Sequence, residues 1–335
     1  MAAFSEPVDW LADNAARDVG WQMVHVGDKA HNLTLNPATS SFAVALESTS
    51  LWSISTLDYA VHRFLKDFVE LDMRKPSTIT AGLPLVSSPT PVVLAIFAYI
   101  VVVWLWSSYI RRVGLKPRSQ DPGWLRALVV VHNWFLCCLS FYMGCGIISE
   151  ARHHGYSFFG NSGNDGEVKM GFYIYIFYVS KLYEFMDTIV MLLRMNLRQI
   201  TFLHVYHHAS ISFVWWIISY VCPYGPAYFS AALNSWIHVF MYLYYLLAAT
   251  IAKDEERRRK YLFWGKYLTM FQMLQFVSFI GQAVHGLVNP STYPKNMPRM
   301  LFLYSLSLLI LFCNFFVAKY MKSSPKLQSK PFKTE

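Results

Sequence analysis

The chain has 335 residues, of which 55% are hydrophobic, 17% aromatic and only 15% charged, and it carries a formal net charge of +9. Soluble domains run at about 45–50% apolar and about 25% charged, so this balance, with a mean hydropathy of +0.30, points to a membrane protein and excludes disorder away from the ends. Five cysteines are too few for a disulfide-stapled secreted domain.

The first 89 residues are mixed polar and apolar. No basic stretch followed by an apolar core opens the chain, so no secretory signal is expected. Ala43–Glu70 reads as an amphipathic helix, and Gly82–Pro91 (GLPLVSSPTP) as an extended lead-in. A membrane-spanning helix needs about 20 apolar residues. Seven stretches qualify: Pro91–Ile110, Trp124–Ile148, Lys169–Leu193, Leu203–Cys222, Ala227–Ile251, Tyr261–Val288 and Met300–Ala318. The expected fold is an all-α integral membrane protein with seven transmembrane helices. Residues 1–89 form an N-terminal segment, 90–320 the membrane domain, and 321–335 a disordered basic tail.

Lys and Arg in short loops set orientation. The loops after the first, third and fifth spans, with the tail, hold 16 of the 29 basic residues, among them Arg111, Arg112, Arg194, Arg257 and Lys319. That side is expected to be cytosolic, with the N-terminus lumenal and the C-terminus cytosolic. Asn32-Leu33-Thr34 is a glycosylation sequon on the lumenal side.

Ionisable side chains inside spans are costly and mark function. The third span carries Lys181, Glu184, Asp187 and Thr188 on one broad helical face. The set reads as a buried ion pair holding the bundle, or as a polar wall that orients substrate and histidines. The fourth span opens with HVYHH. Its His204, His207 and His208, at i, i+3 and i+4, point the same way, and packing alone does not ask for that. The fifth carries Asn234, His238 and Tyr245 along one stripe, with Tyr242 among its tyrosines. The sixth carries Lys266, Thr269, Gln272 and Gln275 at intervals of three, although glutamine in a span also serves as glue between helices. With the basic loops cytosolic, all four sets fall in one layer between mid-membrane and the cytosolic face.

Three chemistries compete for that layer. A membrane di-iron desaturase or hydroxylase uses an HxxHH box, but its iron needs about eight imidazole ligands. Of the eleven histidines only His204, His207, His208 and His238 converge, and His153 and His154 sit on the lumenal side, so no metal is expected. A seven-helix receptor matches the topology, yet it needs no triple-histidine face, and the polar layer opens to the wrong side. An enzyme acting on a lipid with a cytosolic polar end fits better. Its basic rim would attract an anionic carrier such as a coenzyme A thioester. Nucleic acid, which +9 first allowed, is not an expected partner.

KLYEFMDT, HVYHH, NSWIHVFMYLYY and TMFQMLQ resemble, in this order, the KxxExxDT, HxxHH, NxxxHxxMYxYY and TxxQxxQ boxes of the very-long-chain fatty acid elongase family, over about residues 82–320. The resemblance implies a 3-ketoacyl-CoA synthase of the endoplasmic reticulum membrane. It would condense acyl-CoA with malonyl-CoA, release carbon dioxide and CoA, and extend the chain by two carbons. It implies no metal or redox cofactor, and a bundle enclosing an acyl-chain tunnel closed at the lumenal end. Elongation-cycle reductases and a dehydratase are the implied partners, and a homodimer is compatible. GLPLVSSPTP, FLHVYHH, SAALNSWIHV and YLFWGKYLT resemble lower-plant and algal elongases of polyunsaturated C18 acids, so delta-6 substrates such as gamma-linolenoyl and stearidonoyl chains are expected.

Such a condensation needs a held electrophile, a carbanion made by decarboxylation, and donors for a developing oxyanion. No cysteine sits in the four boxes. A neutral imidazole serves as nucleophile when its other nitrogen is held. On this reading His207 takes the acyl group as an acyl-imidazole while His204 and His208 position it. His238 assists decarboxylation or stabilises the enolate. Asn234, Gln272 and Gln275 donate to thioester oxygens, Lys181 and Lys266 hold the pantetheine or phosphate end, and Glu184 and Asp187 fix histidine tautomers or lysines. Thr269, Tyr242 and Tyr245 complete the binding set. The competing mechanism makes His207 a general base in a ternary complex.

Overall fold

Every regular element among the residues described by the computed structural model, 56–71, 73, 75–251, 254–289 and 293–321, is a helix. Two compact units divide the chain, Met1–Thr56 and Leu57–Glu335, and the candidate site lies wholly in the second. The Asn32 sequon, the part of the Ala43–Glu70 helix before residue 56, and the tail after residue 321 lie outside the described residues.

Residues 56–68 form α1. Then follow α2 (Thr90–Val113), α3 (Gly123–His153), α4 (Val168–Tyr183), α5 (Phe185–Leu193), α6 (Phe202–Val221), α7 (Ala227–Thr250), α8 (Glu255–Tyr261), α9 (Gly265–Val288) and α10 (Asn296–Phe316). Local chemistry sets their ends. Pro91 occupies the first turn of α2, and Gly114, left-handed at φ +71°, ends it by returning its N–H to Ile110 and Arg111. The Thr201 hydroxyl caps α6 by accepting from the His204 N–H, and the Asp254 carboxylate caps α8.

Helices α2, α3, α7 and the run Asn296–Met321 are long and apolar enough to cross a membrane. The other predicted spans are helical too, with three corrections. The third is broken at Glu184 into α4 and α5, where the Asp187 N–H reaches only to the Glu184 carbonyl, 3.0 Å. The sixth begins at Gly265, because Asp254 starts a separate helix over Glu255–Tyr261. GLPLVSSPTP is not extended: residues 82–89 run through turns and bends, and Thr90 and Pro91 open α2. The turns face the Leu85 and Val86 carbonyls inward, to accept from the Tyr178 hydroxyl at 2.9 Å and the Trp216 indole at 3.1 Å.

The helices close into a ring. α6 packs on α4, α4 on α7, α7 on α9, α9 on α10, and α10 returns to α6; α3 adds to α7 and α4, and α2 to α6 and α5. Polarity is inverted relative to a water-soluble protein. Phe97 and Trp104 on α2, Phe271 and Leu274 on α9 and Ile310 on α10 face outward, while Lys181, Glu184, Thr188, His208 and His238 are buried. A wide apolar exterior around a polar interior is what a lipid solvent demands, and the chain is an integral membrane protein.

At the end of the ring away from the basic loops, hydrogen bonds tie the connections to one another. The Tyr156 hydroxyl donates to Glu167 and accepts from the Gly225 N–H at 3.0 Å. Burial and the neighbouring carboxylate push that phenol above its ordinary range, so it stays a donor. Tyr228 donates to the Ser157 carbonyl at 2.6 Å, and Ser77 to Asp165 at 2.8 Å. The two loops meet at Gly163 and Gly225, where a Cβ on Gly163 would lie 2.5 Å from the Gly225 nitrogen. Backbone cannot yield there, so Gly163→Ala should destabilise the protein by about 1–3 kcal/mol, read as a lower Tm in detergent, while Gly82→Ala, exposed and with nothing within 4 Å of its Cβ, should cost less.

Candidate active site

The break at Glu184 aims the third span's polar residues in three directions. Lys181, at the end of α4, is almost fully buried. Its ammonium donates to Glu184 Oε1 at 2.7 Å and to Asn234 Oδ1 at 3.2 Å, and lies 4.3 Å from the Phe177 ring centroid. Asn234 in turn donates from Nδ2 to Gln275 Oε1 at 3.3 Å. Glu184 Oε1 also lies 3.4 Å from His238 Nδ1, within ion-pair reach but without hydrogen-bond alignment. One connected set thus joins α4, α7 and α9.

The second direction belongs to Asp187. Its Oδ1 meets His132 Nε2 of α3 at 2.8 Å, and its Oδ2 accepts from the Tyr242 hydroxyl of α7 at 2.9 Å. The third belongs to Thr188, whose hydroxyl lies 2.8 Å from His204 Nε2 and 3.0 Å from the Tyr99 hydroxyl of α2. The histidine rings of α6 meet along the helix, His204 tilted against His208 at 4.5 Å and His207 edge-on to His208 at 5.5 Å between centroids. Ser212 ties that helix to α4 by donating to the Lys181 carbonyl at 3.3 Å.

Four buried atoms in this layer have no protein hydrogen-bond partner among the described residues: Glu184 Oε2, His207 Nδ1, His208 Nδ1 and His238 Nδ1. Native interiors leave few such groups, and those left unpaired ask for an explanation. For His207 a cavity supplies one. His207, Asn234 and Gln275 stand at its polar end; Trp215, Phe276 and Phe279 line its apolar body; and His285 and Met297 stand at its far end. Measured by helix rise between Gln275 and Asn289 on α9 it runs about 20 Å. Helices α6, α7, α9, α10 and their connections wall it, with Gly160 from the loop between α3 and α4.

The structure therefore brings together Lys181, Glu184, Asp187, His204, His207, His208, Asn234, His238, Tyr242 and Gln275. Four other predicted residues stand apart. Lys266 is exposed in the first turn of α9, 5.8 Å over the Phe316 ring; Thr269 donates to its own helix at the Gly265 carbonyl; Gln272 meets the Met241 sulfur at 3.7 Å; and Tyr245 leans on the Tyr242 ring at 6.1 Å. Sequence reasoning missed His132 and Tyr99. The expectation that only four histidines converge is corrected to five. A lone histidine in an apolar helix gives no periodic signal, and its partner lies 55 residues away. Among the described residues no group of three or more His, Cys, Asp or Glu side chains is arranged to hold a metal ion.

The Lys181–Glu184 pair yields a stability test. Removing one member of a buried pair strands the other and costs about 3–5 kcal/mol. Lys181→Met alone should lower the Tm strongly in detergent, and Lys181→Met with Glu184→Gln should recover most of the loss. Equal Tm for the single and double variants would contradict the pairing.

A sequence profile described as the "ELO: GNS1/SUR4 family" matches residues 84–328, which contain every residue of this layer. The chain is 38% identical over 248 residues to very long chain fatty acid elongase 5 of Bos taurus, covering 73% of this chain and 79% of that protein. It is 38% identical over 246 residues to the Xenopus tropicalis protein of the same name, covering 72% and 79%. It is also 38% identical over 248 residues to the Homo sapiens one, covering 73% and 79%.

Proposed function

The chain belongs to the ELO family of very-long-chain fatty acid elongases, and from that membership we propose that it is the condensing enzyme of the cycle, a 3-ketoacyl-CoA synthase. The observation that carries the reading is His207. It stands with an unpartnered nitrogen where a long apolar cavity meets the buried polar layer. An acyl chain fills the apolar body, and its thioester then lies at His207.

The imidazole attacks the thioester carbonyl. A C–N bond forms, the C–S bond breaks, and CoA leaves as the thiol with the imidazole proton. Malonyl-CoA then loses carbon dioxide, and its C2 carbanion attacks the acyl-imidazole. A C–C bond forms, the C–N bond breaks, and the leaving imidazolate takes a proton from solvent to regenerate His207. His238, beside Glu184, stabilises the enolate. Gln275 accepts from Asn234, which leaves its amide N–H groups as donors to an oxyanion in the cavity it lines. Lys181 is too deep and too well partnered to hold a phosphate, so it orients Glu184 and Asn234, and Lys266 at the exposed rim takes the CoA end. The chemistry balances without metal or redox cofactor.

The same reading includes seven spans, an endoplasmic reticulum location, a lumenal N-terminus and a cytosolic C-terminus. Helices at every predicted span and the basic loops at one end support it. The 3-ketoacyl product requires reductases and a dehydratase downstream. The substrate is a polyunsaturated C18 acyl-CoA of the delta-6 type, supported by Tyr206 in HVYHH and the local stretches already quoted.

Microsomes carrying the chain should add two carbons from labelled malonyl-CoA to polyunsaturated C18 acyl-CoAs more readily than to saturated ones. His207→Ala should abolish extension. Incubation with acyl-CoA alone should add the acyl mass to the His207 peptide. Extension on no member of the panel would refute the synthase, whereas extension with no adduct and sequential kinetics would replace the covalent step by His207 acting as a general base.

A further inference from the structure

We infer that His132 is a positioning residue of the condensation site: it holds one oxygen of Asp187 so that the other receives the Tyr242 hydroxyl, and Tyr242 braces His238. The inference rests on the synthase reading above. Its basis is the geometry of one carboxylate, 11% exposed, with two donors on two helices. His132 Nε2 stands 2.8 Å from Oδ1 and the Tyr242 hydroxyl 2.9 Å from Oδ2. His132 is 4% exposed, and Tyr242 is fully buried. The Tyr242 ring meets His238 edge-on at 5.6 Å, and His238 faces Glu184 at 3.4 Å. The helices that carry His132 and Tyr242, α3 and α7, make the most extensive pairing in the bundle, so the donors are held on a rigid frame.

The arrangement solves a charge problem. Glu184 and Asp187 are three residues apart on one chain segment, and the nearest cation, Lys181, is bonded to Glu184. Two carboxylates that close compete for one ammonium. Donors from α3 and α7 satisfy Asp187 on the opposite side and leave Lys181 to Glu184 and Asn234. Without His132 one Asp187 oxygen is unpaired in a mostly buried site. The carboxylate then turns toward Lys181, Tyr242 loses its acceptor, and the brace on His238 slackens. His132 lines neither the cavity nor its polar end, so its loss acts on turnover and not on acyl binding.

The test uses the full-length protein in microsomes with labelled malonyl-CoA and a C18 polyunsaturated acyl-CoA. The wild type must extend the substrate; if it does not, the synthase reading fails and the inference falls with it. Given an active wild type, His132→Phe should lower kcat about tenfold or more, the worth of one buried hydrogen bond, with the acyl-CoA KM unchanged. His132→Gln places an amide N–H where Nε2 stands and should restore turnover, whereas His132→Asn places it near Nδ1 and should not. His132→Phe combined with Tyr242→Phe should lose no more than the worse single variant. Wild-type kcat in His132→Phe, equal turnover in the Gln and Asn variants, or single losses that multiply would each overturn the inference. Should the Phe variant fail to fold, the Gln and Asn comparison decides alone.

Discussion

A lysine ammonium and a glutamate carboxylate 2.7 Å apart, each at most 2% exposed, set the terms for the rest of the molecule. Removing two such charges from water costs several kcal/mol per ion, and the pair survives only with close geometry and further hydrogen bonds. Those come from outside α4. Asn234 accepts from Lys181, and His238 lies against Glu184, both on α7. A slide of α7 by one turn, about 5.4 Å, would strand both charges. The pair therefore fixes the register of α4 against α7, and through Asn234 and Gln275 that of α9. The apolar exterior keeps lipid on the outside of this ring, and the polar layer keeps its helices from rotating.

Helical spacing made much of this layer legible. The i, i+3, i+4 histidines of α6 do share a face, and the stripe of α7 does bring Asn234 and His238 to the third span. What spacing could not give is the break at Glu184. An unbroken helix predicts Lys181, Glu184, Asp187 and Thr188 on one wall. A single hydrogen bond shortened from four residues to three turns the last two away, toward α3 and α7 for Asp187 and toward α2 and α6 for Thr188. No residue at the break is Pro or Gly, so composition carries no sign of it. His132 was hidden for the related reason that its meaning lies in a partner on another helix. In the sixth span the regular interval of three was real as sequence, but only Gln275 reaches the buried set; Thr269 turns back on its own backbone.

Partnered and unpartnered groups divide the layer by task. Asp187, Thr188, Asn234 and His204 have their bonds within the protein and hold position. Glu184 Oε2 and one nitrogen each of His207, His208 and His238 do not. An unpaired buried polar atom costs about 1–3 kcal/mol, so a protein keeps several together only where something else will use them. His207 lines the cavity, and on the proposed reading the reacting groups of the substrate are that use.

The cavity gives the division its energetic sense. Each methylene moved from water into an apolar lining is worth about 0.8 kcal/mol, and on the proposed reading the lining begins where the polar layer ends. Binding energy from the far end of the acyl chain is then spent on fixing the thioester carbon against His207, which is where binding raises turnover instead of only tightening the ground state. The same boundary separates two demands that conflict elsewhere. The chain needs a mainly apolar surface, and the oxyanion needs donors. A ring of α6, α7, α9 and α10 meets both by changing composition along its axis, from Phe279 and Trp215 to Gln275 and His207 within one cavity.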